Sequence, residues 1–250
     1  MAQYRLSIDV YHDAIARRVD YINREGKYKY GEKGEEYITG WSAHLPSWAT
    51  SPQDFWQTIE KSEKPGNIQA RGIQLNLPIE LSLDEQIEIV KQFMNTYFSK
   101  HAYTLAFHNK KGNPHVHIFF CERLIDNRPE PNRNSYCRQR TGYSKDREIT
   151  GLKRNEWLKR IRKGWEEIQN QALEQAGSKE RVSCETLEKQ GINRIPQIHL
   201  GPIVSALEKR GVKTRRGDIN RRRQVINDKL VVLEKQLANA NEILVSCLKE

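Results

Sequence analysis

Apolar residues alternate with polar residues in 3–10 and 72–77, and this period of two is typical of β-strands. Two apolar runs, 103–108 and 116–121, flank a short turn and are also predicted to be strands. Apolar residues recur at helical spacing in 12–24, 82–99 and 152–176. Ser51-Pro52 begins a further helix that runs to about residue 61, and Ser82 to Glu85 has the pattern of a capping box. This order of elements predicts an α+β fold whose antiparallel sheet has helices on one face and a functional site on the other.

The stretch 38–50 does not alternate and is predicted to be an aromatic loop. Trp41 and Trp48 in this loop have two interpretations. Large aromatic residues most often fill a core, but they also serve as platforms on which nucleic-acid bases stack. The hydrophobic pattern alone does not decide between these interpretations.

Three histidines lie on the predicted hairpin formed by 103–108 and 116–121, which a Lys-Lys-Gly-Asn-Pro turn connects. His115 and His117 are two residues apart and therefore share a face of their strand. The antiparallel return brings His108 alongside them. Three converging imidazoles can bind one divalent metal ion and leave positions open for a substrate. A single histidine is more often a core or surface residue, but three in this pattern favour a metal site.

Composition restricts the class of protein further. The 250 residues are 37% hydrophobic and 30% charged, which suits a soluble globular protein without a membrane-spanning run. The N-terminus lacks the apolar core of a signal peptide, and the four cysteines are scattered, so a reducing cytoplasm is expected. Residues 151–250 contain 21 of the 42 Lys and Arg but 13 of the 32 Asp and Glu. This basic part indicates a polyanionic partner.

The segment Asn113 to Ile118, with its His-hydrophobic-His pair, resembles the metal motif of plasmid mobilisation relaxases of the MobA/MobL (MobQ) type. A second segment, Arg18 to Tyr28, is similar to the nucleophile region of the same family and departs from it only at Val19. A third similarity covers 187–202, so the resemblance spans 2–211. The family belongs to the HUH endonucleases, which nick single-stranded DNA with a tyrosine.

The nucleophile motif matches at Tyr21, which the resemblance makes the attacking residue. A phenol is a weak nucleophile at neutral pH, so a nearby cation or a base must favour its phenolate. Arg24 and Lys27 provide positive charge nearby. Tyr28 and Tyr30 are the alternatives.

The resemblance implies a five-stranded HUH fold, which is a ferredoxin- or RRM-like antiparallel sheet, followed by a helical C-terminal extension. It implies site- and strand-specific nicking and religation at an origin of transfer through a 5′-phosphotyrosyl intermediate. The expected cofactor is one divalent ion held by His108, His115 and His117, with Mn or Mg in use and Zn, Co or Ni as alternatives. The expected partners are single-stranded origin DNA with an adjacent hairpin, accessory relaxosome proteins and a conjugative coupling protein, without membrane insertion.

One position departs from the family pattern. Relatives often have acidic residues in the strand that here contains Gly72 and Gln74. If such a carboxylate orients a histidine ligand through its second ring nitrogen, another group must do so in this chain. Glu80 and Asp20 are the candidates.

Two domains are expected: a catalytic core over 1–150 whose loop 123–150 is a basic, DNA-contacting flap, and a basic helical extension over 151–250 that belongs to the relaxase domain of a longer protein. The extension ends in a helix from about Ile219 onward, and His199 is expected to be structural or DNA-contacting rather than a ligand. The predicted DNA-binding residues are Arg24, Lys27, Tyr28, Lys110, Lys111, Arg138, Arg140, Arg215, Arg216, Arg221, Arg222 and Arg223.

Three alternatives have weaker support. A rolling-circle replication initiator shares the chemistry but usually places its tyrosine after the histidines. A cupin-type metal enzyme shares the His-x-His pair and the later Glu122, but it requires an all-β barrel and this chain is rich in long helices. A nucleic-acid binder with vestigial metal residues does not explain why Tyr21 and all three histidines are present together.

Overall fold

A computed structural model of the chain describes residues 4–29, 37–110 and 112–247, and it describes only the backbone of Lys110, Pro202, Ser246 and Cys247. The chain forms two compact units, Met1–Cys184 and Glu185–Glu250. The first unit contains an antiparallel sheet in the order β1-β3-β5-β4-β2. The strands are β1 (Leu6–Tyr11), β2 (Tyr37–Ala43), β3 (Ala70–Asn76), β4 (His101–Lys110) and β5 (Asn113–Leu124). This five-stranded sheet confirms the predicted fold class.

The helices of the first unit lie between and after these strands. They are α1 (Ile15–Asn23), a 3₁₀ turn (Gly26–Tyr28), α2 (Pro52–Ser62), α3 (Leu83–Tyr97), α4 (Arg147–Thr150) and α5 (Arg154–Gln175). The predicted capping box at Ser82 is present at the start of α3. Trp157 and Trp165 of α5 are buried, as expected for core residues. The first unit extends to Cys184 because α5 packs against α3.

Strand β2 corrects the prediction of a loop at 38–50. It is an edge strand that pairs only with β4 among the described strands, and most of its residues are half-buried. It therefore lacks the alternation on which the prediction depended. Gly40 is required there because a Cβ atom would lie 2.5 Å from the carbonyl oxygen of Leu105. Trp41 stacks on Phe107, so the core interpretation holds for this tryptophan.

Helices cover both faces of the sheet, which corrects the prediction that they lie on one face only. Helices α3 and α5 pack on one face against residues such as Leu105 and Ile118. Helices α1 and α2 pack on the other face against Ala106, Phe119 and Cys121. The sequence contains the reason, because β4 and β5 have apolar residues on both faces, as central strands buried on both sides do.

The segment 123–150, predicted to be a flap, packs closely against the rest of the first unit. Tyr136 is fully buried, and Trp48 donates a hydrogen bond from Nε1 to the carbonyl oxygen of Pro131 at 3.0 Å. Arg133 binds both carboxylate oxygens of Asp54, each at 2.6 Å. These hydrogen bonds lower the pKa of Asp54 to about 2. Arg133 of this segment therefore stabilises the packing of the segment through its ion pair with Asp54.

The second unit contains α6 (Gly201–Lys209), which was not predicted, and α7 (Arg215–Cys247), which begins four residues before the predicted start. An extended stretch at 195–198 runs along α7. Asn227 and Asn220 each both donate to and accept from its backbone, at Ile195 and Ile198 respectively. Two side-chain amides thus replace the backbone pairing that this stretch would have in a sheet.

Within the described part of the chain, no helix is long and apolar enough to span a membrane. Cys121, Cys137 and Cys184 have free thiols.

Candidate metal centre and nucleophile

The three predicted histidine ligands converge. His108 and His115 are buried and His117 is half-buried, and one nitrogen of each lies within 4.8 Å of the others. Their ring centroids are 5.0–5.6 Å apart. Metal–imidazole bonds are about 2.0–2.1 Å long, so small rotations of the side chains would bring all three nitrogens onto one ion. This is the one such cluster of histidine, cysteine or carboxylate groups in the described residues.

Strand register explains the convergence. His108 of β4 lies directly opposite His115 of β5, and Ala106 lies opposite His117. Side chains at 106, 108, 115 and 117 point to the same face of the sheet because alternate residues of a strand share a face. The small side chain of Ala106 leaves space for the His117 ring. The donor set consists of three neutral imidazoles, which suits a divalent transition metal.

Backbone carbonyls hold two of the rings. His108 donates from Nε2 to the carbonyl oxygen of Ile22 at 2.6 Å, and His115 donates from Nδ1 to that of Asn113 at 2.8 Å. In these tautomers, Nδ1 of His108 and Nε2 of His115 carry the lone pair that can bind an ion. Backbone carbonyl oxygens thus help to orient these two rings, and an orienting role for Glu80 or Asp20 stays a prediction.

The electrostatic environment keeps His117 neutral. Burial is the largest cause that lowers its pKa, to about 3, and the other two imidazoles and the positive charges of Arg24 and Arg5 act in the same direction. A neutral imidazole is the form that binds a metal ion, so His117 is ready to bind without first losing a proton.

This shift predicts how stability depends on pH in the metal-free protein. The pKa of His117 falls from 6.5 when unfolded to about 3 when folded. The unfolded state therefore binds more protons between these values, and the free energy of unfolding should decrease as the pH falls below about 6.5. Urea unfolding of wild type and His117→Gln in chelator, at several pH values from about 7 to 5, measures the difference. The slope of the unfolding free energy against pH should be larger for the wild type than for the variant, by up to the amount that corresponds to about one bound proton. Equal slopes would contradict the lowered pKa of His117.

The candidate nucleophile lies on the helix that contacts the triad. Tyr21 is in the last turn of α1, one residue before the carbonyl group that binds His108, and 37% of the residue's surface is exposed. The Tyr28 ring meets the Tyr21 ring edge-on at 5.3 Å. Tyr21 is therefore accessible to a large substrate, and its helix is fixed relative to the three histidines.

Arg24 ends α1 and folds back over Tyr21. Its backbone adopts the left-handed conformation with φ 55°, which reverses the chain and ends the helix. Its guanidinium donates to the carbonyl oxygen of Tyr21 at 2.8 Å and lies 4.5 Å from the centre of the Tyr21 ring. The side chain is buried, since 7% of the residue's surface is exposed. Arg24 therefore places a buried positive charge against the Tyr21 ring.

The sequence that forms this site matches a known protein family. The family model described as "MobA/MobL family" matches residues 1–210, which include Tyr21 and the three histidines. The chain belongs to the MobA/MobL family.

Two relatives of this MobA/MobL chain are each 34% identical to it. One is "Mobilization protein A" of Escherichia coli, aligned over 227 residues that cover 87% of the chain and 31% of the relative. The other is the "43 kDa relaxation protein" of Salmonella typhimurium, aligned over 211 residues that cover 78% of the chain and 56% of the relative. The chain thus spans between just under a third and just over half of the length of these relatives.

A solved structure described as "Molecular Basis of Vancomycin Resistance Transfer in Staphylococcus aureus" has the same fold. It superposes with a TM-score of 0.52 at 22% sequence identity and covers 74% of this chain and 100% of its own. At this level of identity, the likeness shows that the MobA/MobL chain shares the arrangement of its sheet and helices with that protein.

Four residues near the triad were missed by sequence reasoning. Tyr37 of β2 lies opposite His108, with its ring 6.1 Å from the imidazole. Gln74 and Asn76 of β3 lie opposite His117 and His115, and Arg5 acts on His117 electrostatically. Tyr37 was missed with its strand. Gln74 was noted only as a departure from the family, although its alternation with Asn76 already placed both on one face.

The predicted DNA-binding residues occupy several parts of the MobA/MobL chain. Arg24 and Tyr28 contact the Tyr21 ring, and the Lys27 amine lies 5.1 Å from the centre of the Tyr28 ring. Arg138 and Arg140 lie on the segment 123–150 and are both exposed. Tyr30, Lys111 and the Lys110 side chain lie outside the described residues. His199 is exposed in the second unit and is not a member of the histidine cluster.

The five arginines at the start of α7 differ in their surroundings. Arg221 binds Glu208 and Asp218, each at 2.6 Å, and Arg223 donates to the carbonyl oxygen of Pro196. The remaining three, Arg215, Arg216 and Arg222, are exposed. Arg221 and Arg223 thus contribute to the packing of the second unit.

Proposed function

We propose that this chain is the catalytic part of a relaxase, which nicks one DNA strand at an origin of transfer and later rejoins it. The observation that best supports this function is the 2.6 Å hydrogen bond between His108 and the carbonyl oxygen of Ile22. It joins a three-imidazole centre to the helix turn that carries an exposed tyrosine. Names of relatives such as "43 kDa relaxation protein" agree with this function.

The proposed reaction is transfer of a phosphodiester from sugar to tyrosine. The Tyr21 oxygen attacks the phosphorus and loses its proton, and the bond from phosphorus to the 3′-oxygen of the preceding nucleotide breaks. The products are a 5′-phosphotyrosyl bond and a free 3′-hydroxyl. One phosphoester replaces another, so the reverse attack by a 3′-hydroxyl can rejoin the strand without an external energy source.

The residues of this chain have different roles in the proposed reaction. His108, His115 and His117 would hold a divalent ion, which would polarise the non-bridging phosphate oxygens when bound. Arg24 supports the phenolate from above the ring, and Ile22 fixes the distance between Tyr21 and the triad. Mn or Mg is the proposed ion, with Mn better suited to three nitrogen ligands.

The proposed substrate is single-stranded origin DNA beside a hairpin. The proposed partners are accessory relaxosome proteins and a conjugative coupling protein. Because the chain covers 31% and 56% of two relatives, we also propose that it acts as the relaxase domain of a longer protein, with residues 151–250 as its basic helical extension.

A covalent adduct tests the function directly. Overlapping single-stranded oligonucleotides that tile both strands of the whole replicon carrying the gene, and thus any origin of transfer on it, are incubated with the protein and Mn²⁺ and then separated on a denaturing gel. We expect one oligonucleotide to form an adduct whose mass equals the protein plus the 3′ fragment. Cleavage without an adduct, or adducts with every sequence, would contradict the proposal.

The α7 arginines predict the salt dependence of DNA binding. Replacing Arg215, Arg216 and Arg222 by Ala should weaken binding and reduce the slope of log affinity against log salt by roughly one unit for each phosphate that is no longer neutralised. Fluorescence anisotropy at several salt concentrations measures the slope. Arg221→Ala is the matched control, because its guanidinium already binds Glu208 and Asp218. Arg221→Ala should lower the thermal stability and change the slope less than the triple replacement does. Equal slopes in the wild type and all variants would show that Arg215, Arg216 and Arg222 do not bind DNA.

A further inference from the structure

A cavity of about 380 Å³ lies among α1, the 3₁₀ turn and α2. Its wall includes Asp20, Tyr28, Gln53, Gln57 and Lys61. We propose that this α1–α2 cavity binds the base of a nucleotide adjoining the scissile phosphate, and that it prefers a base with an exocyclic amino group. This inference rests on the proposed function, because it assigns part of the substrate to the same site.

The position of the cavity relates it to Tyr21. Asp20, which borders the cavity, directly precedes Tyr21 in α1. Tyr28 borders the cavity as well, and its ring meets the Tyr21 ring at 5.3 Å. Tyr28 thus contacts both the cavity and the Tyr21 ring. In the proposed complex, a nucleotide whose phosphate is attacked by Tyr21 would place its base against Tyr28.

The wall has an aromatic surface and a hydrogen-bond acceptor suited to a base. Tyr28 offers a ring on which a base can stack. Gln53 borders the cavity, and its Oε1 atom is buried and has no hydrogen-bond partner in the described part of the chain. A rotation of this half-buried side chain would bring Oε1 to a donor in the cavity. An unsatisfied buried carbonyl oxygen is costly, so an N–H donor from a ligand would stabilise the complex.

The carboxylates of the wall favour the same kind of base. Glu60 accepts a hydrogen bond from the backbone N–H of Ala16 at 3.2 Å and so serves the start of α1. The carboxyl group of Asp20 is partly buried, and this burial raises its pKa. Gln53 and Asp20 both accept hydrogen bonds, and adenine, cytosine and guanine present amino donors that thymine lacks. Lys27 and Lys61 place positive charge on the wall for the sugar-phosphate backbone.

The test uses the oligonucleotide that the wild-type protein joins to itself. Each nucleotide beside the nick is replaced in turn by an abasic residue or by thymine, and the initial rate of adduct formation is measured. We expect one position at which both replacements reduce the rate by about tenfold. In Gln53→Ala the thymine replacement should change the rate by less than about twofold, because the acceptor is gone. The abasic replacement should keep part of its penalty, because Tyr28 still offers its ring for stacking. Gln57 is an exposed residue of the same wall, and Gln57→Ala should also reduce the penalty for thymine.

A matched control separates this cavity from general effects. Gln171→Ala changes a glutamine of α5, on the opposite side of the sheet, and should keep the full penalty. If the wild type forms adducts but tolerates abasic residues at every position, the cavity does not bind a base. If Gln53→Ala keeps the full penalty for thymine, the proposed base preference is wrong. In both cases the proposed function stands. If the wild type forms no adduct with any oligonucleotide, the proposed function itself fails and the inference fails with it.

Discussion

Tyr21→Phe should eliminate the covalent adduct, with a decrease in rate of more than about a thousandfold. The change removes only the attacking oxygen and leaves the ring, so its contacts with Tyr28 and Arg24 persist. Affinity for uncleaved single-stranded DNA should stay within about twofold of the wild type, because phosphate contacts supply most of it. Denaturing gels measure the adduct, and anisotropy measures the affinity.

The control for this variant is Tyr97→Phe, on α3, which packs on the opposite face of the sheet. It removes a hydroxyl from the same kind of ring and should leave the adduct rate unchanged. Adduct formation by Tyr21→Phe at a rate near that of the wild type would show that another residue attacks. Tyr28 would then be the next residue to replace, since its ring adjoins that of Tyr21.

Replacing any one of His108, His115 and His117 by Ala should weaken metal binding and nicking together. Loss of a group that merely orients a ligand typically costs about 10- to 100-fold in metal affinity, so loss of a ligand should cost at least about tenfold. Calorimetric titration with Mn²⁺ gives affinity and stoichiometry, and the gel assay gives activity. Binding of single-stranded DNA should persist in all three variants, because cationic side chains supply it.

His199→Ala is the control for the metal titration, because His199 lies in the second unit and outside the triad. It should bind one ion per chain with unchanged affinity. Loss of the ion in His199→Ala, or full affinity in His108→Ala, would show that the three ligands are wrongly assigned.

The triad could be predicted from the sequence because a strand has a strict geometric period. Two histidines two residues apart share a face in any strand, and a short turn fixes the position of the returning strand. Tyr21 could not be found in this way. The chain has ten tyrosines, and nothing in the local pattern separates a nucleophile from a packing residue. Only its resemblance to a family motif selected it.

The remaining features depend on contacts between distant segments. The carbonyl oxygens of Ile22 and Asn113 bind the imidazoles, and a backbone group leaves no signature in the sequence. Strand β2 was missed because an edge strand need not alternate. The second helical layer was missed because the pattern was assigned to one face only, although Phe119 and Cys121 make that face of β5 apolar as well.

The hydrogen bond between His108 and Ile22 has a thermodynamic consequence. An ion that draws the His108 ring toward itself also acts on the helix turn that presents Tyr21. In the proposed reaction, metal binding and the position of the phenol would therefore be linked. Any factor by which a bound ion changed the equilibrium constant for forming the phosphotyrosyl bond would be the factor by which that bond changed the affinity for the ion. Metal binding and cleavage of the strand would then be two coupled equilibria.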